Sequence, residues 1–252
     1  MIQTFDHETI RELRLNRPPV NALTSELMNG LRQAMEAAAQ EGIRALVLSG
    51  APGRFCGGLD IPRLLTLDRP AIAQLWRDLY ALLRALAASP IPIAAAITGH
   101  APAGGTVLAL FCDWRVMAQG DFKLGVNEVA VGIALPPVIV HALHRQIGPR
   151  QAERLAVTGV LISPQEAANI GYLDELTPSG HVIERAIGWC RSLLALPSEA
   201  MAATRRQARA DLVALFDDGM EAELQTMIAA WWNPETQRTL RAVAERLGKK
   251  VG

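Results

Sequence analysis

The residues of this chain whose types and spacing could do chemistry are two glycine-containing turns and one lone acid. The first turn is Phe55-Cys56-Gly57-Gly58-Leu59-Asp60-Ile61, and the second runs from Gly99 through His100-Ala101-Pro102-Ala103-Gly104-Gly105-Thr106 to Val107. The acid is Glu128, within Lys123-Leu124-Gly125-Val126-Asn127-Glu128. Each turn follows a strand-like run, Arg44 to Leu48 and Ile93 to Thr98, so each is placed to present unpaired backbone N–H groups. Two such donors aimed at one point hold an oxygen that becomes negative during a reaction. A carboxylate beside them can then move a proton. The combination points to enolate chemistry.

The elements that must position these turns read as follows. Strands at Ile2 to Phe5 and Ile10 to Leu15 lead into the Asn16 to Leu23 loop, and a helix follows with Thr24 as its N-cap. Leu27, Leu31, Ala34 and Met35 recur at helical spacing until Gly42. A second helix, from about Pro70 to Ala88, carries Ile72, Leu75, Leu79, Leu82, Leu83 and Leu86 on one face and ends before Pro90 and Pro92. Gly104-Gly105 opens a short helix through Leu110, followed by strands near Trp114 to Met117 and Phe122 to Leu124. Helices recur at Pro136 to Arg145 and Arg150 to Thr158, and Ser163-Pro164-Gln165-Glu166 is a capping box. Beyond Tyr172 to Leu176 the chain reads as helices broken at Pro197 and Pro234. Strands alternating with helices make the class α/β. That pattern alone does not choose between a doubly wound sheet and a spiral.

Composition narrows the partners. The chain has 252 residues, 50% hydrophobic, enough for a sizeable core. Its 25 Lys and Arg balance 25 Asp and Glu, which disfavours nucleic acid and anionic membrane as partners. Cys56, Cys112 and Cys190 lack CxxC spacing and are expected to be reduced thiols of a cytoplasmic protein. The N-terminus has no basic segment followed by an apolar stretch, so no signal peptide is expected. The apolar run near Ile91 to Ile97 contains Pro92 and is far short of a membrane span. His141 and His144 share a helix face without a carboxylate motif, and no metal site is expected.

The whole set resembles the crotonase family, the enoyl-CoA hydratase/isomerase superfamily. The likeness is carried by Leu15-Asn16-Arg17-Pro18-Pro19-Val20-Asn21-Ala22-Leu23, by Phe55 to Ile61, by Gly99 to Asp113 and by Leu124 to Gly132, in the family's order. Ala101-Pro102-Ala103-Gly104-Gly105 and the Asn127-Glu128 pair look most like the Δ3,Δ2-enoyl-CoA isomerases. The resemblance implies a crotonase-type spiral of repeated ββα turns over residues 1–180, holding the acyl-CoA site. Residues 181–252 would form a helical region that covers the site and joins subunits into a trimer or a dimer of trimers.

It also implies roles. The Leu59 and Gly104 amides would form the oxyanion hole, with Gly104 bare so that a thioester can approach and the helix dipole aiding. Glu128 would be the proton shuttle. Val20, Ala22, Leu23, Gly57, Gly58, Asp60, Ile61 and Asn127 would line the CoA ester, Asn127 orienting substrate or carboxylate. Asp60 reads as a structural residue of its turn. Arg241, Arg246, Lys249 and Lys250 could meet CoA phosphates but are better read as a solvated helix end. His100 and Trp231-Trp232 take structural readings.

Hydratases of the family carry a second glutamate where this chain has Val107, which neither accepts a hydrogen bond nor transfers a proton. The expected activity is therefore movement of a 3-enoyl-CoA double bond to the 2-trans position, as in fatty-acid β-oxidation, with no cofactor beyond the coenzyme A of the substrate. The alternatives are a hydratase or other crotonase-family lyase whose second acid comes from elsewhere, for instance Asp60 or Asp68, and a silent acyl-CoA-binding protein.

Overall fold

The computed structural model describes residues 1–217 and 220–248. Its strands are β1 (Ile2–His7), β2 (Ile10–Leu15), β3 (Ala45–Ser49), β4 (Gly53–Arg54), β5 (Ile93–Ile97), β6 (Gly99–Pro102), β7 (Trp114–Ala118), β8 (Leu124–Gly125) and β9 (Glu175–Thr177). Its first helices are α1 (Ser25–Gln40), α2 (Ile61–Leu64), α3 (Arg69–Ala88), α4 (Gly104–Leu110), α5 (Pro137–Thr158) and α6 (Pro164–Asn169). The later ones are α7 (Val182–Leu194), α8 (Ser198–Ala208), α9 (Ala210–Ala214), α10 (Met220–Trp231) and α11 (Pro234–Gly248).

Two sheets run side by side. The larger has the order β1-β2-β3-β5-β7-β9, parallel except for the β1–β2 hairpin, and the smaller is a parallel stack β4-β6-β8. The chain visits them in strict alternation. It passes through β3, β4 and helix, then β5, β6 and helix, then β7, β8 and helix. These are three turns of a ββα spiral. Registers of Gly53 with Gly99 and of Pro102 with Gly125 hold successive turns in step. The stretches that leave β4, β6 and β8 therefore stack beside one another, and they carry Leu59, Gly104 and Glu128.

The large sheet is buried on both faces, which its residues explain. Leu46, Leu48, Ile93, Ala95 and Ile97 face a core shared with α1 and α3. The alternate residues Ala45, Val47, Ala94, Ala96, Val116 and Ala118 face Val182, Ala186, Ile187 and Cys190 of α7. Helix starts follow the expected caps: the side chains of Thr24, Asp68 and Ser163 each accept a backbone N–H, and Ser163 with Glu166 completes the capping box. Helix α5 breaks at Gly148 (φ 74°, ψ 160°), so the two helices read there from sequence are separate. Two details depart from the sequence reading. Gly99–Pro102, read as turn, is strand β6, and the two-residue β4 was not foreseen. No described helix is long and apolar enough to cross a membrane.

Candidate active site

Backbone hydrogen bonds shape the first turn. Gly57 N–H donates to Val20 O, Leu23 N–H to Gly58 O, and Asp60 N–H to Leu23 O. The Asn21 side-chain amide donates to Phe55 O at 3.0 Å. Leu59 sits between these ties, and its own N–H has no acceptor among the described residues. Gly104, the first residue of α4, likewise donates to nothing outside its helix, where a first-turn N–H has no partner. Ala103 aims that N–H: it holds φ 48° and ψ −121°, a conformation that costs an L-residue energy.

The second turn is locked to the strand that leads to Glu128. Ala103 N–H donates to Gly125 O at 2.8 Å. Thr106 Oγ1 donates to Ala101 O at 2.6 Å and accepts from Gly125 N at 2.7 Å. Tyr172 OH donates to Thr106 O. One hydroxyl thus fixes the Gly104 helix against the segment carrying Asn127 and Glu128.

Leu59, Gly104, Asn127 and Glu128 open on one cavity of ≈ 270 Å³. Leu23, Gly57, Ile61, Val107 and Leu161 line it too, with Trp76 and Leu79 of α3, Ile133, Ile139 of α5 and Val243 of α11. Glu128 is the one titratable side chain on this wall among the described residues. The residue is half-buried, but Oε2 is sealed from solvent and has no hydrogen-bond partner. Burial outweighs a hydrogen bond from its own backbone and pushes its pKa up to about 7. Asn127 Oδ1 is also buried without a partner. Buried polar atoms are normally paired, so two orphans on an apolar cavity mark a place prepared for something else to bind.

Other expected site residues fall elsewhere. Val20 is exposed and Ala22 is buried behind the turn; both act here through their carbonyls, toward Gly57 N–H and Arg17 respectively. Gly58 (φ 81°) lies under the turn. Asp60 is the N-cap of α2 and pairs with Arg17 at 2.6 Å, and Asp68 caps α3. Neither carboxylate lines the cavity. His100 is exposed, with Nδ1 accepting from Lys123 N. Arg241 and Arg246 are exposed, while Lys249 and Lys250 lie outside the described residues. Cys56 is fully buried and its thiol is pushed up to about 12, so it is no nucleophile. No group of three or more metal-ligating side chains occurs among the described residues.

Gly104 has a packing role that the sequence did not show. A Cβ on Gly104 would point at Leu23 Cδ1 (2.7 Å) and Gly58 Cα (3.2 Å). The close contact between the two turns is thus a reason of its own for a glycine here. Sequence reasoning missed the Trp76, Ile133, Ile139 and Val243 wall. A signal existed for Trp76, which shares the cavity-facing side of α3 with Leu79 three residues on.

Residues 6–250 match the model of the enoyl-CoA hydratase/isomerase family. The chain belongs to that family. Mouse mitochondrial enoyl-CoA delta isomerase 1 is 31% identical over 255 residues, covering 100% of this chain and 88% of the relative. A probable enoyl-CoA hydratase of Mycobacterium tuberculosis, EchA17, is 33% identical over 194 residues, covering 77% of this chain and 74% of its own. The crystal structure of human mitochondrial delta3-delta2-enoyl-CoA isomerase superposes with a TM-score of 0.95 at 27% identity, covering 100% of this chain and 99% of that one. The ββα spiral is therefore the crotonase fold, and the chain is an enzyme of the enoyl-CoA hydratase/isomerase family. Isomerases and hydratases both stand among its relatives, so family membership leaves the reaction to be argued from the site.

Proposed function

We propose that the chain is a Δ3,Δ2-enoyl-CoA isomerase of fatty-acid metabolism. The observation that carries the reading is a single carboxylate, Glu128, in a mostly apolar cavity, with Val107 where hydration would need a second acid. The thioester carbonyl of a 3-enoyl-CoA lies between the Leu59 and Gly104 N–H groups. Glu128 removes a proton from C2, the C–H electron pair forms the C1–C2 double bond of a dienolate whose C3–C4 double bond is still in place, and the charge rests on the thioester oxygen. That charge is met by the two amides, each commonly worth a few kcal/mol of barrier. The protonated Glu128 then returns its proton at C4, and the charge flows back to give the conjugated 2-trans ester. No cofactor beyond the substrate's own coenzyme A takes part. Apolar walls suit this route because water is not a reactant and would intercept the proton.

Raised basicity fits the task. A carboxylate with a pKa near 7 is a better base than one near 4 and still half-ionised at neutral pH. Leu23, Gly57, Ile61 and Asn127 guide the ester, and the helical C-terminal region assembles a trimer or dimer of trimers in this reading.

The test is turnover of purified protein with 3-enoyl-CoA and 2-enoyl-CoA, monitored separately for isomerisation and hydration. Isomerisation well above hydration supports the proposal. Rapid hydration without isomerisation would replace it with the hydratase reading, and binding without either reaction would replace it with the silent one.

A further inference from the structure

The cavity has a far wall, and behind it lies a second space. A void of ≈ 10 Å³ is lined by Trp76, Gly132, Ile133, Met227, Ala230, Trp231 and Thr236. Trp76 and Ile133 line both this void and the ≈ 270 Å³ cavity holding Glu128. These two side chains are therefore the partition between them. Both are buried, as are Met227 and Trp231 beyond. The Gly132 corner is braced, because Thr236 Oγ1 donates to Gly132 O at 2.9 Å and pins the start of α11 to it.

Trp76 is an uneasy core residue. Its indole N–H is buried and has no acceptor, a cost that an aliphatic side chain filling the same space would not carry. What the indole provides is bulk at the wall that the cavity and the void share.

We infer that Trp76, backed by Ile133, sets the acyl-chain length, so that the chain acts on short- to medium-chain 3-enoyl thioesters and stops longer ones at the indole. The inference rests on the acyl-thioester reading of the cavity above, with the thioester at Leu59 and Gly104 and the alkyl tail directed at α3. A void of ≈ 10 Å³ holds about one water-sized group. The gain from removing the partition therefore comes mostly from the space of the indole itself.

The experiment compares kcat/KM for 3-hexenoyl-, 3-decenoyl- and 3-hexadecenoyl-CoA in wild type, Trp76→Ala and Ile133→Ala. Equilibrium binding of the saturated hexanoyl, decanoyl and hexadecanoyl esters is measured alongside. Each methylene that can be buried is worth about fourfold. Wild type is expected to favour decenoyl over hexadecenoyl by at least ~10-fold, and the variants to narrow or reverse that ratio. Trp76→Ala empties a large buried volume and could fail to fold, in which case Ile133→Ala decides. Equal use of both lengths by wild type, or an unchanged ratio in a folded variant, would overturn the inference. A binding preference that shifts in the variants without isomerisation would leave the inference standing and remove the catalytic reading. No binding of any ester would remove both.

Discussion

Gly58 and Gly104, 46 positions apart in the chain, touch through their backbones. A Cβ built on Gly58 would stand 3.3 Å from Gly104 N, and one built on Gly104 would stand 3.2 Å from Gly58 Cα. The two candidate oxyanion donors, at Leu59 and Gly104, are thus held by the direct meeting of two spiral turns.

Gly104→Ala should push those turns apart. The closest obstacle, Leu23 Cδ1 at 2.7 Å, is the end of a flexible side chain, so the protein should fold. Displacing one donor should lower kcat by roughly 10²–10³. Adding Leu23→Val removes the obstructing methyl and should restore part of the loss. Wild-type kcat in folded Gly104→Ala, measured by steady-state kinetics, would show that the turn contact does not set donor geometry.

Glu128→Gln should keep the fold and the affinity for acyl-CoA while lowering isomerase kcat by ~10²–10⁴, the loss typical of a general base. Calorimetric binding and turnover separate the two effects. Unchanged kcat would remove Glu128 from the mechanism.

The pH dependence follows from burial of the same group. In the proposed mechanism its ionised form is the base, so kcat/KM should rise with pH along a limb centred near 7, not near 4.5. The folded pKa is raised above the unfolded one, so this group favours the native state below pH ~4.5, and that contribution is lost as pH climbs toward 7. Glu128→Gln should therefore be more stable than wild type at pH 8, by up to ~3 kcal/mol, and no more stable at pH 4. Urea unfolding at the two pH values checks this. Equal stabilities at pH 8 would mean the carboxylate is well solvated.

Val107→Glu places an acid one helical turn beyond Gly104, on the wall of the cavity that also holds Glu128. The ratio of hydration to isomerisation should rise. The gain should be small, since a carboxylate in a site where Val107 is only 1% exposed costs stability and tends to stay protonated. A wild type that already hydrates 2-enoyl-CoA as fast as it isomerises 3-enoyl-CoA would show that Val107 does not select the reaction.

Much of this site was legible in the sequence because local chemistry wrote it. The caps at Thr24 and Ser163, the glycine start of α4 and the lone Glu128 are signals within a few residues. The spiral was legible only through family resemblance. Its second sheet is built from strands of two to four residues, too short for β4 or β8 to show a period of two. The far wall was hidden for another reason. Trp76, Ile133 and Val243 come from segments that meet only in three dimensions, and an apolar residue lining a cavity looks the same in sequence as one filling a core. Nor could spacing tell that Gly104 is bare because Leu23 and Gly58 press on it.

The central claim is that one buried carboxylate carries the proton from C2 to C4. The direct measurement uses 3-enoyl-CoA deuterated at C2, turned over in ordinary water, with the product's C4 examined by NMR. Glu128 Oε2 is sealed from solvent, so much of the deuterium should reappear at C4. A product carrying only solvent hydrogen at C4, or no isomerised product at all, would contradict the account.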